Sequence, residues 1–310
     1  MQFYKCCRQK YCLPAWNTAN SEEEGEVSDM KVIKASGEQE EYNEAKLRRS
    51  LASAGADKDT IDQIARSMGD LLYEGISTQK IYREAFRRLR HSSDRLAGRY
   101  RLKEAILELG PTGFPFEKFV SEMLKRLGYT SRTGVIVEGE CVSHEIDVIA
   151  EKDDKRFMIE CKFHNHQGHK SDVKVPLYIQ SRFKDLEKKW SSLPGHKDKL
   201  HRGWVVTNTR FTQHALQYGK CVRLKLLSWD YPRHEGLKDL ISRVNLHPIT
   251  CLSSLGKKEK QELLKRDVVF CMQLSEDEQV LSHLNIDALK KVRVREEARD
   301  ICNANQQNNG

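Results

Sequence analysis

The sequence predicts an α/β protein: a mixed sheet flanked by helices, with a small, mainly helical unit before it and a helical region after it. Three observations predict this class. Short runs rich in Ile, Val and Phe alternate apolar and polar residues, as strands do. Longer stretches place apolar residues at the i, i+3, i+4, i+7 spacing of amphipathic helices. Between residues 111 and 232 these patterns follow the order α-β-β-β-α-β, and then a further α-β.

Composition limits the classes of protein to which the chain can belong. It has 310 residues and a formal net charge of +8, which suit two or three domains and a polyanionic partner. Its nine cysteines include no C-x-x-C pair, so neither a zinc ribbon nor a disulfide framework is expected. No apolar run approaches the ~18 residues of a membrane span, and the N-terminus lacks the apolar core of a signal peptide. We therefore expect a cytoplasmic protein with no membrane partner.

Both ends of the chain are predicted to be disordered tails. Residues 1–30 show neither a helical nor a strand period and include an acidic polar run, and residues 303–310 are polar. The first tail could bind a metal through Cys6, Cys7 and Cys12, but no matching set of His or Cys residues follows them.

Residues 31–93 are predicted to form a compact unit of two short strands followed by three helices. The strands flank a turn that contains Gly37. Asn43 is a suitable N-cap for the first helix, and Ser77 is a suitable N-cap for the third.

This unit resembles an ATP-cone, the small nucleotide-sensing domain of class I ribonucleotide reductases and of some repressors. The residues that carry the resemblance are Val32-Ile33-Lys34, Gly37, Glu40, Asn43, Lys46, Leu47 and Gly75-Ile76-Ser77-Thr78. The resemblance implies that ATP or dATP binds as an effector and that Lys34 and Lys46 contact its phosphates. The other implied site residues are Gly37, Glu40, Asn43 and Thr78. Ala35-Ser36 stands where the family often has Arg-Asp, and a degenerate cone that serves only for packing is the alternative.

Two further regions are predicted to be helical. Residues 94–110 are predicted to form one connecting helix that ends at Gly110-Pro111. Residues 250–302 carry leucines and valines that form a small core. This second region resembles a helix-hairpin-helix DNA module, although Gly256 alone remains of the hairpin glycines.

Residues 111–249 contain the α-β-β-β-α-β pattern. Pro115 stands early in the first helix, where its missing N–H is tolerated, and Gly128 ends that helix. The predicted elements that follow are strands near 134–137, at 144–149 and at 157–162, a helix through Ile179, Phe183, Leu186 and Trp190, a strand at 204–207, a helix at 211–218 and a strand at 222–227.

The second and third strands carry two acids and a lysine. Glu160 and Lys162 share one strand face because side chains alternate, and Cys161 takes the other face. If the hairpin register brings Asp147 opposite Glu160, two carboxylates and an ammonium group meet. Such a set suits a hard divalent cation, with the lysine beside the water that attacks a phosphate. The alternative is that these charges only decorate the solvent face of a hairpin.

The element order and this motif together resemble the PD-(D/E)xK nuclease core, most closely the branch of the Mrr-type restriction endonucleases. The resemblance implies that Asp147 and Glu160 bind Mg²⁺ or Mn²⁺ and that Lys162 positions or activates water. It also implies that Glu117 completes the acidic set. Ile146 stands where the family name has a proline, and this difference does not affect the chemistry.

Other polar groups follow the proposed site. His164, His166 and His169 form an H-x-H-x-x-H pattern, for which a basic loop on DNA phosphate is favoured over zinc binding. Gln180 and Arg182 are expected to reach toward the site. Backbone contacts with DNA are favoured for a run of cations that comprises Lys170, Lys174, Arg182, Lys184, Lys188 and Lys189. Two interpretations stay open for the segment Thr207-Asn208-Thr209-Arg210, which either binds phosphate or caps the next helix.

The expected function is that of a cytoplasmic, Mg²⁺-dependent DNA endonuclease whose N-terminal cone senses ATP or dATP. Its role would be restriction of foreign DNA or repair, and a homo-oligomer is compatible with the sequence. The alternative is a nucleotide-gated, DNA-binding regulator with an inactive nuclease fold. A third hypothesis, an allosteric subunit of another enzyme, would give Asp147, Glu160 and Lys162 no catalytic role.

Overall fold

The computed structural model describes residues 30–194 and 200–303. Its first part joins a three-stranded sheet to three helices. The elements are β1 (Lys31–Ile33), β2 (Gln39–Glu41), α1 (Glu44–Ser53), α2 (Lys58–Gly69), β3 (Ile76–Ser77) and α3 (Thr78–Ser92). β1 pairs with β2 in antiparallel and with β3 in parallel. The predicted hairpin and three helices are confirmed, whereas β3 is too short to show a period in the sequence.

Local hydrogen bonds explain where these helices begin. The side chain of Asn43 accepts a hydrogen bond from the backbone N–H of Lys46 at 3.1 Å, and Ser77 accepts one from the N–H of Lys80 at 3.2 Å. Both predicted N-caps are therefore confirmed. Gly37 has a φ of 83°, in the left-handed region that favours glycine, within the turn between β1 and β2.

The prediction of a single connecting helix over residues 94–110 is wrong. The chain forms α4 (Asp94–Tyr100) and α5 (Leu102–Leu107), with Arg101 between them. α4 packs against α3, whereas α5 packs against a short 3-10 turn at Ile249–Cys251. The break thus follows from two different packing partners, which a local pattern does not reveal.

The central sheet has five strands in the order β10-β8-β6-β5-β4. The elements of this part are α6 (Phe114–Arg126), β4 (Thr130–Glu138), β5 (Ser143–Lys152), β6 (Lys155–Lys162), β7 (Lys170–Ser171), α7 (Lys174–Ser191), β8 (Leu200–Thr207), β9 (Arg210–Phe211), α8 (Gln213–Cys221) and β10 (Lys225–Leu227). β4, β5 and β6 are antiparallel, and β6, β8 and β10 are parallel. The predicted α-β-β-β-α-β order and mixed sheet are confirmed.

Two elements in this part begin later than predicted. α8 begins at Gln213, because Thr212 is its N-cap, and β10 begins only at Lys225, because Arg223 has a φ of 60°. The charged turn between β5 and β6 is confirmed: Asp153 and Asp154 have φ values of 50° and 55°, as a two-residue hairpin of type I′ requires.

The sheet is covered on both faces. One face, which includes Phe157 and Ile159 of β6, packs on α6 and on the C-terminal helices. The other face, which includes Met158, packs on α7 through Ile179 and Phe183. Alternation along β6 therefore places Glu160 and Lys162 on the side of α7.

The C-terminal region is helical, as predicted. It contains α9 (Leu237–Val244), α10 (Lys257–Lys265), α11 (Cys271–Glu276), a 3-10 turn at Glu278–His283 and α12 (Ala288–Cys302). Its leucines and valines join the same hydrophobic cluster as α6, so it completes the core of the preceding domain. Gly256 is the N-cap of α10, a role that gives no support to the predicted helix-hairpin-helix.

The predicted tails, residues 1–30 and 303–310, lie outside the described residues except for Met30 and Asn303, and so do the three cysteines of the first tail. Within the described ranges, every helix is too short or too polar to cross a membrane.

Candidate active site

Asp147, Glu160 and Lys162 lie together at the end of the β5–β6 ladder. The last pair of this ladder is Val148 with Ile159, and just beyond it Asp147 Oδ2 accepts a hydrogen bond from the backbone N–H of Cys161. The two acids therefore lie beside each other, one position beyond the end of the ladder.

Glu160 is the centre of a buried cluster of charges. It is 5% exposed, and each of its carboxylate oxygens has a cationic partner. Lys162 Nζ donates to Oε1 at 2.8 Å, and Arg182 Nη1 donates to Oε2 at 2.6 Å. Arg182, which lies on α7, also donates through Nη2 to the backbone carbonyl of Glu145. The expectation that Arg182 reaches the site is confirmed, and the fork of its guanidinium joins α7 to two strands.

Asp147 accepts a hydrogen bond from the backbone N–H of Cys161 at 2.7 Å. Burial, and then the negative charge of Glu160, raise the pKa of Asp147 to about 6. Burial also raises the pKa of the Cys161 thiol well above its ordinary value, so that this thiol stays protonated.

Glu117 approaches the same place from the first turn of α6. Burial, followed by the charges of Asp147 and Glu160, raises the pKa of Glu117 to about 7. A carboxyl group with this pKa exchanges its proton near neutral pH. The three predicted acids therefore lie near one another: Glu117 on α6, Asp147 on β5 and Glu160 on β6.

The acids of this cluster suit a cation held in part by water. Within residues 30–194 and 200–303, no three His, Cys, Asp or Glu side chains form a ready metal-ligand group. Mg²⁺ commonly keeps several waters and takes only one or two carboxylates from the protein. Burial and mutual repulsion disfavour the negative charges of Asp147 and Glu117, and a bound cation would relieve that repulsion.

The chain that follows Lys162 is held by side chains at the end of β8. Thr207 Oγ1 donates to the carbonyl of Lys162 at 2.8 Å. Asn208 accepts from the N–H of His164 at 2.9 Å and donates to its carbonyl at 2.7 Å. Thr207 and Asn208 therefore bind the backbone of the segment after β6. The cap of the next helix, α8, is Thr212 and not a residue of the segment 207–210. Sequence patterns do not identify this clamp, because its partners lie more than forty positions apart.

The histidine pattern forms a stack. The rings of His164 and His169 lie 5.3 Å apart and nearly parallel, and His164 Nε2 lies 3.3 Å from Ser171 Oγ. The described residues contain no metal-ligand group here, which leaves zinc binding without support. Gln180, the other residue expected near the site, has a buried Oε1 that makes no hydrogen bond.

The predicted basic run divides into paired and unpaired cations. Ion pairs to glutamates are made by Arg182, Lys184 and Lys188. Among the described residues, no ion pair is found for the side chains of Lys170, Lys174 and Lys189.

The N-terminal unit brings its predicted lysines together around an acid. Glu40 Oε2 lies 3.1 Å from Lys34 Nζ and 2.9 Å from Lys46 Nζ. Partial burial opposes ionisation of Glu40, but hydrogen bonds from Lys46 and Lys34 hold its pKa below the ordinary value. Asn43 is used as a helix cap, and Thr78 lines one cavity with Lys34 and Glu40.

Comparison with known proteins identifies the class of this domain. Residues 110–231 match the Mrr-type restriction endonuclease family, and this span contains the acidic cluster. The domain is therefore restriction endonuclease-like. Residues 247–302 match a second family, described as AF1548-like, C-terminal.

Two relatives extend the match to a longer part of the chain. An uncharacterized protein of Archaeoglobus fulgidus is 38% identical over 183 residues, which are 59% of this chain and 99% of that protein. The crystal structure of AF1548, a protein of unknown function, is 36% identical with a TM-score of 0.51, and the match covers 62% of this chain and 99% of that one. The chain belongs to the family of AF1548.

Proposed function

We propose that the protein is a metal-dependent endonuclease that hydrolyses phosphodiester bonds of DNA, in restriction or repair. The observation that carries this proposal is the meeting of Asp147, Glu160 and Lys162 at the end of two strands of a restriction endonuclease-like domain. Two carboxylates beside an ammonium group are the parts that metal-assisted phosphodiester hydrolysis requires.

Asp147 and Glu160 are the residues that would hold Mg²⁺ or Mn²⁺. Their oxygen donors suit either ion. Burial and the charge of Glu160 raise the pKa of Asp147, and a bound cation would favour its charged form. When bound, the ion would stabilise the charge that develops on the phosphate and lower the pKa of water.

The remaining residues orient groups and move protons. Lys162 places a positive charge beside Glu160, where it would position the attacking water and stabilise charge on the phosphate. Arg182 fixes the orientation of the Glu160 carboxylate. Glu117, with a pKa of about 7, would exchange a proton at neutral pH.

DNA is the proposed substrate because the domain is restriction endonuclease-like and the chain is basic, with a net charge of +8. Lys174 and Lys189 would contact the phosphate backbone, since they are not occupied by ion pairs among the described residues. Such contacts position the duplex and do not select its sequence.

The N-terminal unit is proposed to bind ATP or dATP and to regulate cleavage. Its support is the pair of lysines, Lys34 and Lys46, held around Glu40 next to the start of α1. Ammonium groups near a helix start favour phosphate.

Plasmid cleavage tests the nuclease proposal. Purified protein is incubated with supercoiled plasmid and Mg²⁺, and nicking is compared with that in EDTA. Asp147→Ala, Glu160→Ala and Lys162→Ala should each abolish nicking while DNA binding, measured by gel shift, is retained. Glu187→Gln, at a partly exposed acid on α7 paired with Lys184, is the matched control and should cleave normally. Nicking at the wild-type rate by any of the three variants would refute the site.

A second candidate is a DNA-binding regulator that does not cleave. It is favoured because both carboxylate oxygens of Glu160 are already paired with cations, Lys162 and Arg182. DNA binding by the wild type without nicking in Mg²⁺ or Mn²⁺, with or without ATP, would establish this alternative.

A further inference from the structure

A cavity of about 310 Å³ lies between the N-terminal unit and the nuclease domain. The N-terminal unit contributes Lys34 and Thr78 to its wall. Lys103 enters from α5, Lys170 from β7 and Arg210 from β9. A volume of this size falls within the range of small-molecule sites.

Two of the cations in this wall are already neutralised. Lys34 lies 3.1 Å from Glu40 and 3.7 Å from Glu38, both of which line the cavity, and Arg210 lies 2.7 Å from Asp230. The positive charge of the cavity that is not neutralised therefore comes from its other cations.

Lys103 and Lys170 supply an excess of positive charge. Within the part of the chain that the structure describes, neither side chain forms an ion pair or a hydrogen bond. Lys103 is partly buried, and burial lowers its pKa, as do the positive charges of Arg210 and Lys238, against the opposing charge of Asp230. A partly buried ammonium group that faces another cation is stabilised by an anion from outside the protein.

The wall also has an apolar side, formed by Leu107 and the ring of Trp229. An indole ring can stack on a nucleobase, and ammonium groups bind phosphates. We propose that this cavity binds a nucleoside triphosphate, with Lys103 and Lys170 on its phosphates and Trp229 on its base. The proposal rests on nucleotide binding by the N-terminal unit and adds a second half of the site, supplied by the nuclease domain.

The position of the cavity links it to the active site. Lys170 begins β7, which pairs in parallel with β9 at Arg210. Residues 163–169 join β7 to the strand that ends at Lys162, and His169 lines the cavity while its ring stacks on His164. A bound nucleotide would therefore fix the segment that leads directly from Lys162. It regulates cleavage to the extent that it binds the cleaving and non-cleaving states of the protein with different affinity.

Calorimetry on the full chain tests the shared site. ATP is titrated into wild type, Lys103→Gln, Lys170→Gln and Lys220→Gln. Lys220 is an exposed lysine of α8 outside the cavity and serves as the matched control. Each cavity variant should bind ATP about tenfold more weakly, as expected for loss of a charged hydrogen-bond partner, and the control should bind as the wild type does. Lys103→Arg, which keeps the charge, should retain most of the affinity, and circular dichroism checks that each variant is folded.

The outcomes separate this inference from the proposals on which it rests. If Lys34→Ala abolishes binding while both cavity variants bind normally, the nucleotide site lies in the N-terminal unit alone and the shared site is overturned. If the wild type binds neither ATP nor dATP, nucleotide binding and the shared site both fail, while the nuclease proposal is decided separately by plasmid cleavage.

Inorganic tripolyphosphate tests the role assigned to Trp229. ATP should bind more tightly than tripolyphosphate to the wild type, and Trp229→Leu should remove that difference. Equal affinity of the wild type for both ligands would overturn the contact with the base.

Discussion

Arg182 on α7 and Glu160 on β6 form a buried ion pair, with 2.6 Å between Nη1 and Oε2. The side chains are 12% and 7% exposed. A carboxylate buried to this degree needs partners for its charge, and Arg182 also holds the carbonyl of Glu145 on the neighbouring strand. The pair therefore fixes both the packing of α7 on the sheet and the direction of a proposed metal ligand.

We predict that Arg182→Ala lowers the free energy of unfolding by about 1–3 kcal/mol, because it leaves the buried carboxylate of Glu160 with only one of its two cationic partners, Lys162. It should also reduce Mg²⁺-dependent cleavage by about 10- to 100-fold, since Glu160 loses its orientation. Urea denaturation and plasmid nicking measure the two effects. Lys184→Ala, which removes an exposed pair on the same helix, is the control and should change stability by less than about 1 kcal/mol. Equal effects of the two variants would contradict a special role for Arg182.

A second prediction concerns pH. The ordinary pKa values of Asp147 and Glu117 are 3.8 and 4.5, and those in the folded protein are about 6 and about 7. The folded state therefore keeps these protons to higher pH than the unfolded state does. The associated stability is present below about pH 4 and is lost as the pH rises through 6 and 7.

Asp147→Asn and Glu117→Gln should consequently make the metal-free protein more stable at pH 8. We expect a gain of about 1–2 kcal/mol each, after allowance for partial solvent exposure, and the gain should vanish toward pH 4.

Asp185 supplies a control of opposite sign, because a hydrogen bond from His144 holds its pKa at about 2. Asp185→Asn should be less stable than the wild type at pH 8. Denaturation curves at several pH values measure these differences. A stability gain of each acid variant over the wild type that does not increase from pH 4 to pH 8 would contradict the prediction.

The sequence predicts most of the sheet because its signals are local. Alternation along β6 places Glu160 and Lys162 on one face, and the charged residues at 151–155 form the turn that fixes the register. The features that it does not predict depend on distant contacts. The break at Arg101 follows from two packing partners, and the hydrogen bonds of Asn208 to His164 join the segments that follow β8 and β6. The same limit applies to the C-terminal helices, which share a hydrophobic cluster with α6: apolar periodicity identifies a buried face but not the surface that it meets.

A third prediction uses Ca²⁺ in place of Mg²⁺. Ca²⁺ takes oxygen ligands in looser geometry, so it should strengthen DNA binding and fail to support cleavage. Gel shifts and plasmid nicking with each ion measure this difference. In Asp147→Ala, Ca²⁺ should no longer strengthen DNA binding, because a ligand of the ion is missing. Cleavage in Ca²⁺ at the rate seen in Mg²⁺ would contradict the assignment.

The last prediction concerns Glu40, which lies between the two lysines of the N-terminal unit at 3.1 Å from Lys34 and 2.9 Å from Lys46. Phosphate must compete with this carboxylate for both ammonium groups. Glu40→Gln should therefore tighten ATP binding several-fold, whereas the double variant Lys34→Ala/Lys46→Ala should weaken it by about tenfold or more. Calorimetry with ATP and dATP measures both changes.

Glu41→Gln, an exposed acid beside Glu40, is the matched control and should leave the affinity unchanged. Binding should occur without hydrolysis, because the chain lacks a G-x-x-x-x-G-K-[ST] loop, and a phosphate-release assay checks this. Unchanged affinity in the double lysine variant would show that the N-terminal unit serves only for packing.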